Sequence, residues 1–166
     1  MSAWILLLMI GLQPSAPWAD TYATTANAIA KAAEAEPLFA GEDGPARTAA
    51  LLVAVAKFES NFKPGALGDK STSVGLWQIN QSNFAGLGIT KAELLADRDL
   101  EVRAALSMMR ASFKVCAARK AEDWLGHFAS GGATCTNVGG LIASRHRVGL
   151  AIRLFRDHPP TRDGAI

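Results

Sequence analysis

Several things that would narrow this chain's chemistry are scarce or missing. Charge of one sign is missing: seventeen basic residues stand against fifteen acidic ones, and a net charge of +2 supplies no basic stripe for nucleic acid. A membrane-spanning run is missing too, since the apolar stretch from Ala3 to Leu12 falls well short of the roughly 20 residues a bilayer requires. There is no GxSxG, no Walker loop and no GxGxxG, so the common nucleophile-elbow, nucleotide and dinucleotide chemistries find no footing. The three histidines (His127, His146, His158) lack HExxH spacing, and two cysteines cannot complete a four-ligand zinc site, so no metal or other cofactor is expected. Internal repeats and low-complexity tracts are absent as well. What is present is the composition of one globular domain with a proper core: 166 residues, 49% hydrophobic and 19% charged.

The first 19 residues admit two readings. The apolar run has the length of a secretory signal's central region, and Pro14 to Ala19 resembles the stretch before a cleavage site, although no lysine or arginine precedes the run. The other reading is a hydrophobic N-terminal helix packed on the domain. Residues 20–158 then form the domain and 159–166 a tail. Cys116 and Cys135 are two small buried thiols in a reducing compartment, or one disulfide in an exported protein.

Helices are expected over Thr24–Glu36, stopped by Pro37, and over Ala46–Phe58, which is apolar almost all round and therefore buried on most faces. Ser71 to Ile79 has the content of a short hairpin strand. Thr90 and Glu93 form a capping box before a short helix. Asp99 is placed to cap a longer helix to about Val115, with Leu100, Ala104, Met108 and Ala111 inward. Ala121 to Ser130 reads as a helix closed by Gly131-Gly132. Ser144 is placed to cap the last helix, with Val148, Ala151, Ile152 and Phe155 inward and Pro159-Pro160 at its end. The fold class is mainly α, a helical domain with a small β-hairpin.

Two residues stand out in Ala56–Asn80. Glu59 directly follows the buried helix and continues the face of Leu52 and Val55, so its side chain should point toward packed structure. Burial and the negative end of the helix dipole both disfavour its carboxylate, which suits a general acid; the competing reading is a solvated glutamate at a frayed helix end. Gln78, inside the apolar VGLWQI, is either a buried structural amide or a cleft-lining group able to meet the N-acetyl and hydroxyl groups of an amino sugar.

AKFESNF followed by STSVGLWQIN resembles the active-site segment of the lysozyme-like superfamily, both animal lysozymes and the SLT-type lytic transglycosylases of bacteria. The resemblance is specific over residues 54–80. It implies an α+β, two-lobed lysozyme-like fold with the hairpin beside a cleft, and cleavage of the β-1,4 bond between N-acetylmuramic acid and N-acetylglucosamine in peptidoglycan. Glu59 would be the catalytic acid, with Ser60, Ser73, Gln78, Asn80, Phe128 and Ser130 contributing to substrate binding. Peptidoglycan glycan strands are the expected partner, met by a monomer or by part of an envelope or virion assembly. The expected location is extracytoplasmic, or delivery to the wall by a phage particle.

The departures from the family pattern separate its branches. Animal lysozymes carry an aspartate where this chain has Ser73, and a retaining glycosidase needs a second carboxylate about 5 Å from the first. Asp69 is near in sequence but sits in a GDK turn. One carboxylate suits a transglycosylase, in which the sugar's own 6-hydroxyl closes a 1,6-anhydro ring. The family's AYNAG corresponds to HFASGG, so Phe128 replaces a tyrosine and the single Tyr22 lies elsewhere. Ser130 and His127 are the candidates to supply the missing polar contacts; otherwise the branch is a divergent one, such as phage-associated wall-degrading proteins. Trp77 and Trp124 are core residues or sugar-stacking platforms. Arg145, His146, Arg147, Arg153 and Arg156 make the last helix basic, a solvated face or, as a minor alternative, a contact for acidic wall polymers. A hydrolytic muramidase and an inactive wall-binding or virion structural protein are the alternatives.

Overall fold

The computed structural model describes residues 1–131 and 134–161, with every side chain among them except that of Asp69. Its α-helices are α1 (Ser2–Leu12), α2 (Tyr22–Ala35), α3 (Gly44–Ser60), α4 (Phe84–Leu87), α5 (Lys91–Ala96), α6 (Arg98–Val115), α7 (Gly126–Ser130) and α8 (Val138–Asp157). Between α3 and α4 lie three two-residue strands, β1 (Leu67–Gly68), β2 (Ser73–Val74) and β3 (Ile79–Asn80), paired antiparallel in that order. The class is the mainly helical, α+β one expected, with a three-stranded meander in place of a simple hairpin.

The centre of the molecule is α3. All eight residues from Ala49 to Ala56 are buried, which explains a helix with no polar face through its middle. Pro45 starts it, and α1, α2 and α8 pack around it. Each large aliphatic side chain so buried contributes about 1.5–3 kcal/mol. The helix runs two residues beyond the expected Phe58, so Glu59 and Ser60 belong to its last turn. Asn61 and Phe62, both left-handed at φ 53° and 62°, then turn the chain away, and Phe62 is buried edge-on against Tyr22. In α1, Ile5, Leu8 and Met9 are buried, the Tyr22 hydroxyl donates to the Gln13 carbonyl, and Lys57 Nζ donates to Gln13 Oε1 at 2.8 Å. No helix among the described residues is long and apolar enough to cross a membrane.

Three helices differ from the pattern read in the sequence. The buried face of α6 is Glu101, Val102, Ala104, Ala105, Leu106, Met109 and Ser112, whereas Leu100 and Met108 are half-buried and Ala111 is exposed. A stripe of apolar residues could not include Glu101 and Ser112, two polar groups whose burial is supported by hydrogen bonds. The cap of α6 is Asp97, not Asp99, with Oδ1 accepting from Leu100 N. The stretch 121–130 is a 3-10 turn at Ala121–Asp123 followed by the short α7; Gly131 ends it in the left-handed region, and Gly132 lies outside the described residues. The last helix starts at Val138, capped by Asn137. Ser144 is interior and buried, accepting from Leu125 N and donating to Glu122 O, and Ile152 is 58% exposed rather than inward. Of the tail, residues 162–166 also lie outside the described residues.

A buried carboxylate fixes the meander on the helices. Glu101 on α6 is wholly buried, accepts from the Leu76 backbone N–H and pairs with Arg98. It lies so close to Gly75 that a β-carbon there would meet Oε1, and Gly75 itself has φ 81°. Cys116 and Cys135 form a disulfide with Cα atoms 5.5 Å apart, tying the end of α6 to the segment before α8.

Two stability experiments follow from these contacts. Gly75→Ala should lose at least about 1–2 kcal/mol from left-handed strain alone, with further loss from displacing the carboxylate. Gly86→Ala, where nothing lies within 4 Å, should be neutral or stabilising; equal urea midpoints for the two variants would refute the account. Replacing both cysteines by serine should remove about 3 kcal/mol. Thermal melting of oxidised protein with and without reductant checks this, and an unchanged midpoint contradicts it.

Candidate active site

Glu59 sits in the last turn of α3 with its side chain 16% exposed. Its Oε1 accepts from Nη2 of Arg147 on α8 at 2.7 Å, and the arginine side chain is only 11% exposed. The inward direction expected of Glu59 is therefore present, but the surroundings differ from a purely apolar pocket. A guanidinium at hydrogen-bond distance favours the carboxylate, in opposition to burial and the helix dipole. Arg147 is thus not part of a solvated face, as the basic run on α8 implied, because the crossing of α8 over α3 turns it inward. One residue earlier on each helix, Phe58 and His146 stack with ring centroids 6.4 Å apart.

The meander lies against the end of α3 through Ser60, whose hydroxyl donates to the Leu76 carbonyl at 2.9 Å. Leu76 thus receives a bond from α3 at its carbonyl and gives one to Glu101 of α6 at its N–H. Gln78 is not in a strand: residues 75–78 form a turn, with Gln78 at φ 48°. Its amide nitrogen donates to Ala66 O at 3.1 Å and Gly75 O at 2.9 Å, and Gly68 leaves the space that Oε1 occupies. This amide ties two segments of the meander together, the structural one of the two readings offered by its setting. Ser73 is buried and paired in register with Asn80, whose amide nitrogen lies 3.4 Å from the serine hydroxyl. Asn80 also caps the next turn by accepting from Ser82 N.

Among the described residues, the five non-glycine positions with positive φ are Asn61, Phe62, Lys70, Ser71 and Gln78. All follow Glu59 within one short segment. Left-handed backbone in bulky residues costs on the order of 1 kcal/mol or more each and persists where surrounding structure enforces it, often at functional sites.

The remaining candidates divide. Asn80 and Phe128 line one cleft of 420 Å³ together with Met108 and His127. Ser130 is packed near Gly140 of α8 and donates to the His127 carbonyl. His127 Nδ1 is buried without a hydrogen-bond partner among the described residues. Trp77 is wholly buried and donates to the Leu52 carbonyl, so it is core. Trp124 packs on Phe113 at 5.3 Å and donates to the Arg119 carbonyl. The side chain of Asp69 lies outside the described residues. Sequence reasoning missed Glu101 and the inward turn of Arg147. A glutamate beside Val102 and Ala105 on a buried face was the available signal for the first; no local signal marks the second.

Known proteins resemble the chain over part of its length. The invasion protein IagB of Salmonella typhimurium and that of Salmonella typhi are each 39% identical to the chain over 71 residues, which cover 39% of this chain and 44% of theirs. The match therefore spans less than half the length of these relatives. No solved structure matches the chain. The family model for the transglycosylase SLT domain matches residues 36–133, a stretch that holds Glu59, the whole meander and α7. By that match the chain belongs to the transglycosylase SLT family, within the lysozyme-like superfamily.

Proposed function

We propose that this protein is a peptidoglycan lytic transglycosylase acting on the β-1,4 bond between N-acetylmuramic acid and N-acetylglucosamine, outside the cytoplasm. The observation that carries the reading is Glu59, an inward, mostly buried carboxyl at the end of the core helix beside the family's Ser-x-Gly-Leu-x-Gln turn, inside the matched residues. Ser73 supports the non-hydrolytic branch, because it is a buried serine where a hydrolysing lysozyme would carry its second carboxylate.

Glu59 gives its proton to the glycosidic oxygen as the bond from that oxygen to C1 breaks, and the electron pair leaves with the oxygen. The N-acetyl group of the substrate stabilises the cationic centre. Glu59, now a carboxylate, takes the proton of the 6-hydroxyl as that oxygen bonds to C1, which returns the acid and closes the 1,6-anhydro ring. The nucleophile is intramolecular, so neither a second protein carboxylate nor a positioned water is required. Asn80, Phe128 and the backbone of the meander are the surfaces for the sugar, while Ser60 and Gln78 hold that backbone in shape.

Glu59→Gln should lower lysis of purified sacculi by at least about 100-fold, the lower end of a general acid's contribution, with sacculus binding retained. Released muropeptides should carry anhydro ends by mass spectrometry; reducing ends would make the protein a muramidase, and parental lysis by Glu59→Gln would remove the assignment. Gln78→Ala should act through stability, losing about 1–3 kcal/mol for two part-buried hydrogen bonds in urea unfolding, and should cost less activity than Glu59→Gln. Asp69→Asn should be nearly silent in lysis; a loss as deep as that of Glu59→Gln would show a two-carboxylate mechanism.

A further inference from the structure

Arg147 departs from the other ion-paired arginines of α8. Arg145 and Arg156 are 51% and 66% exposed and pair with Asp123 and Asp157, as surface arginines do. Arg147 is mostly buried, its side chain 11% exposed, and among the described residues its guanidinium has one hydrogen-bond partner, Glu59, 88 positions away in sequence. Its Nε is buried with no partner among those residues. A mostly buried pair that leaves a buried donor unsatisfied is poor for stability, since desolvation offsets much of the attraction. Arg147 also lies outside residues 36–133, so the family match says nothing about it.

We infer that Arg147 is a positioning residue for Glu59. The inference rests on the reading of Glu59 as proton donor. By holding Oε1 through Nη2, Arg147 directs the transferable proton to Oε2 and fixes the plane of the carboxyl. As the O–H bond of Glu59 breaks and its proton passes to the glycosidic oxygen, negative charge develops on the carboxylate, and the hydrogen bond from the guanidinium strengthens. An interaction that grows toward the transition state raises turnover rather than affinity. The same contact holds the carboxylate in place for the return step at the 6-hydroxyl. The Phe58–His146 stack, next to both partners, keeps α3 and α8 in the register this pair requires.

The test uses the full chain on purified sacculi, with turnover and half-saturation measured separately. Arg147→Ala should lose at least about tenfold in kcat, the value of one charge-assisted hydrogen bond, with KM changed by less than about threefold. Guanidinium ion at sub-denaturing concentration should restore part of that loss, and equal sodium chloride should not. Arg147→Lys should retain more turnover than Arg147→Ala. In the Glu59→Gln background, Arg147→Ala should add no further loss, because the two act as one unit. Where Arg147→Ala does not fold, Arg147→Gln takes its place, keeping a stem and a donor without the charge. A parental kcat in the neutral variant, or a lysine variant no better than the neutral one, overturns the positioning role while Glu59→Gln stays inactive. Parental activity in Glu59→Gln instead removes the reading on which the role rests.

Discussion

Glu101 is the constraint on which the rest of the site depends. It is a carboxylate with no solvent exposure, matched by Arg98 and by the backbone N–H of Leu76. An ion buried this way is stable only when its lone pairs are met, so α6 and the turn at Gly75–Leu76 must stay together. The glycine at 75 is the steric counterpart: the carboxylate occupies the space a side chain would need. From Leu76 the order continues through its carbonyl to Ser60, and Ser60 is the neighbour of Glu59. Helix α3, helix α6 and the meander are thereby joined at one residue.

A second junction crosses the first. The α3 helix is buried through its middle as far as Ala56, and α8 meets its last turn with His146 on Phe58 and Arg147 on Glu59. The carboxyl is thus held from α8 at its tip and from the meander through the adjacent serine. Several residues between Asn61 and Gln78 keep left-handed backbone, a cost that these two junctions and the buried Phe62 and Trp77 sustain.

Much of this was legible in the chain. The uninterrupted apolar run Ala49–Ala56 required a buried helix, Thr90 and Glu93 required a cap, and the spacing of FES to SVGLWQIN marked the family segment. The inward face of α6 was misread because apolar periodicity ignores polar residues, and two of its buried positions are polar. The start of α8 lies at Val138 rather than at Ser144, because glycines at 139 and 140, poor helix formers by themselves, are part of the helix. In the structure, Gly140 lies close against α7, and Asn137 supplies the cap. Gln78 was placed in a strand on the strength of apolar neighbours, whereas its own left-handed backbone makes it part of a turn.

By itself the sequence determined the core helix, the position of Glu59 at its end and the presence of a serine at position 73, because each follows from local pattern or residue identity. Only the tertiary structure decided what surrounds the carboxyl. Whether an arginine on a basic helix faces water or a glutamate depends on the angle and register at which two helices cross, and these are set by packing over the whole core. The role of Gln78 was decided in the same way, by which backbone carbonyls the folded turn brings within reach of its amide.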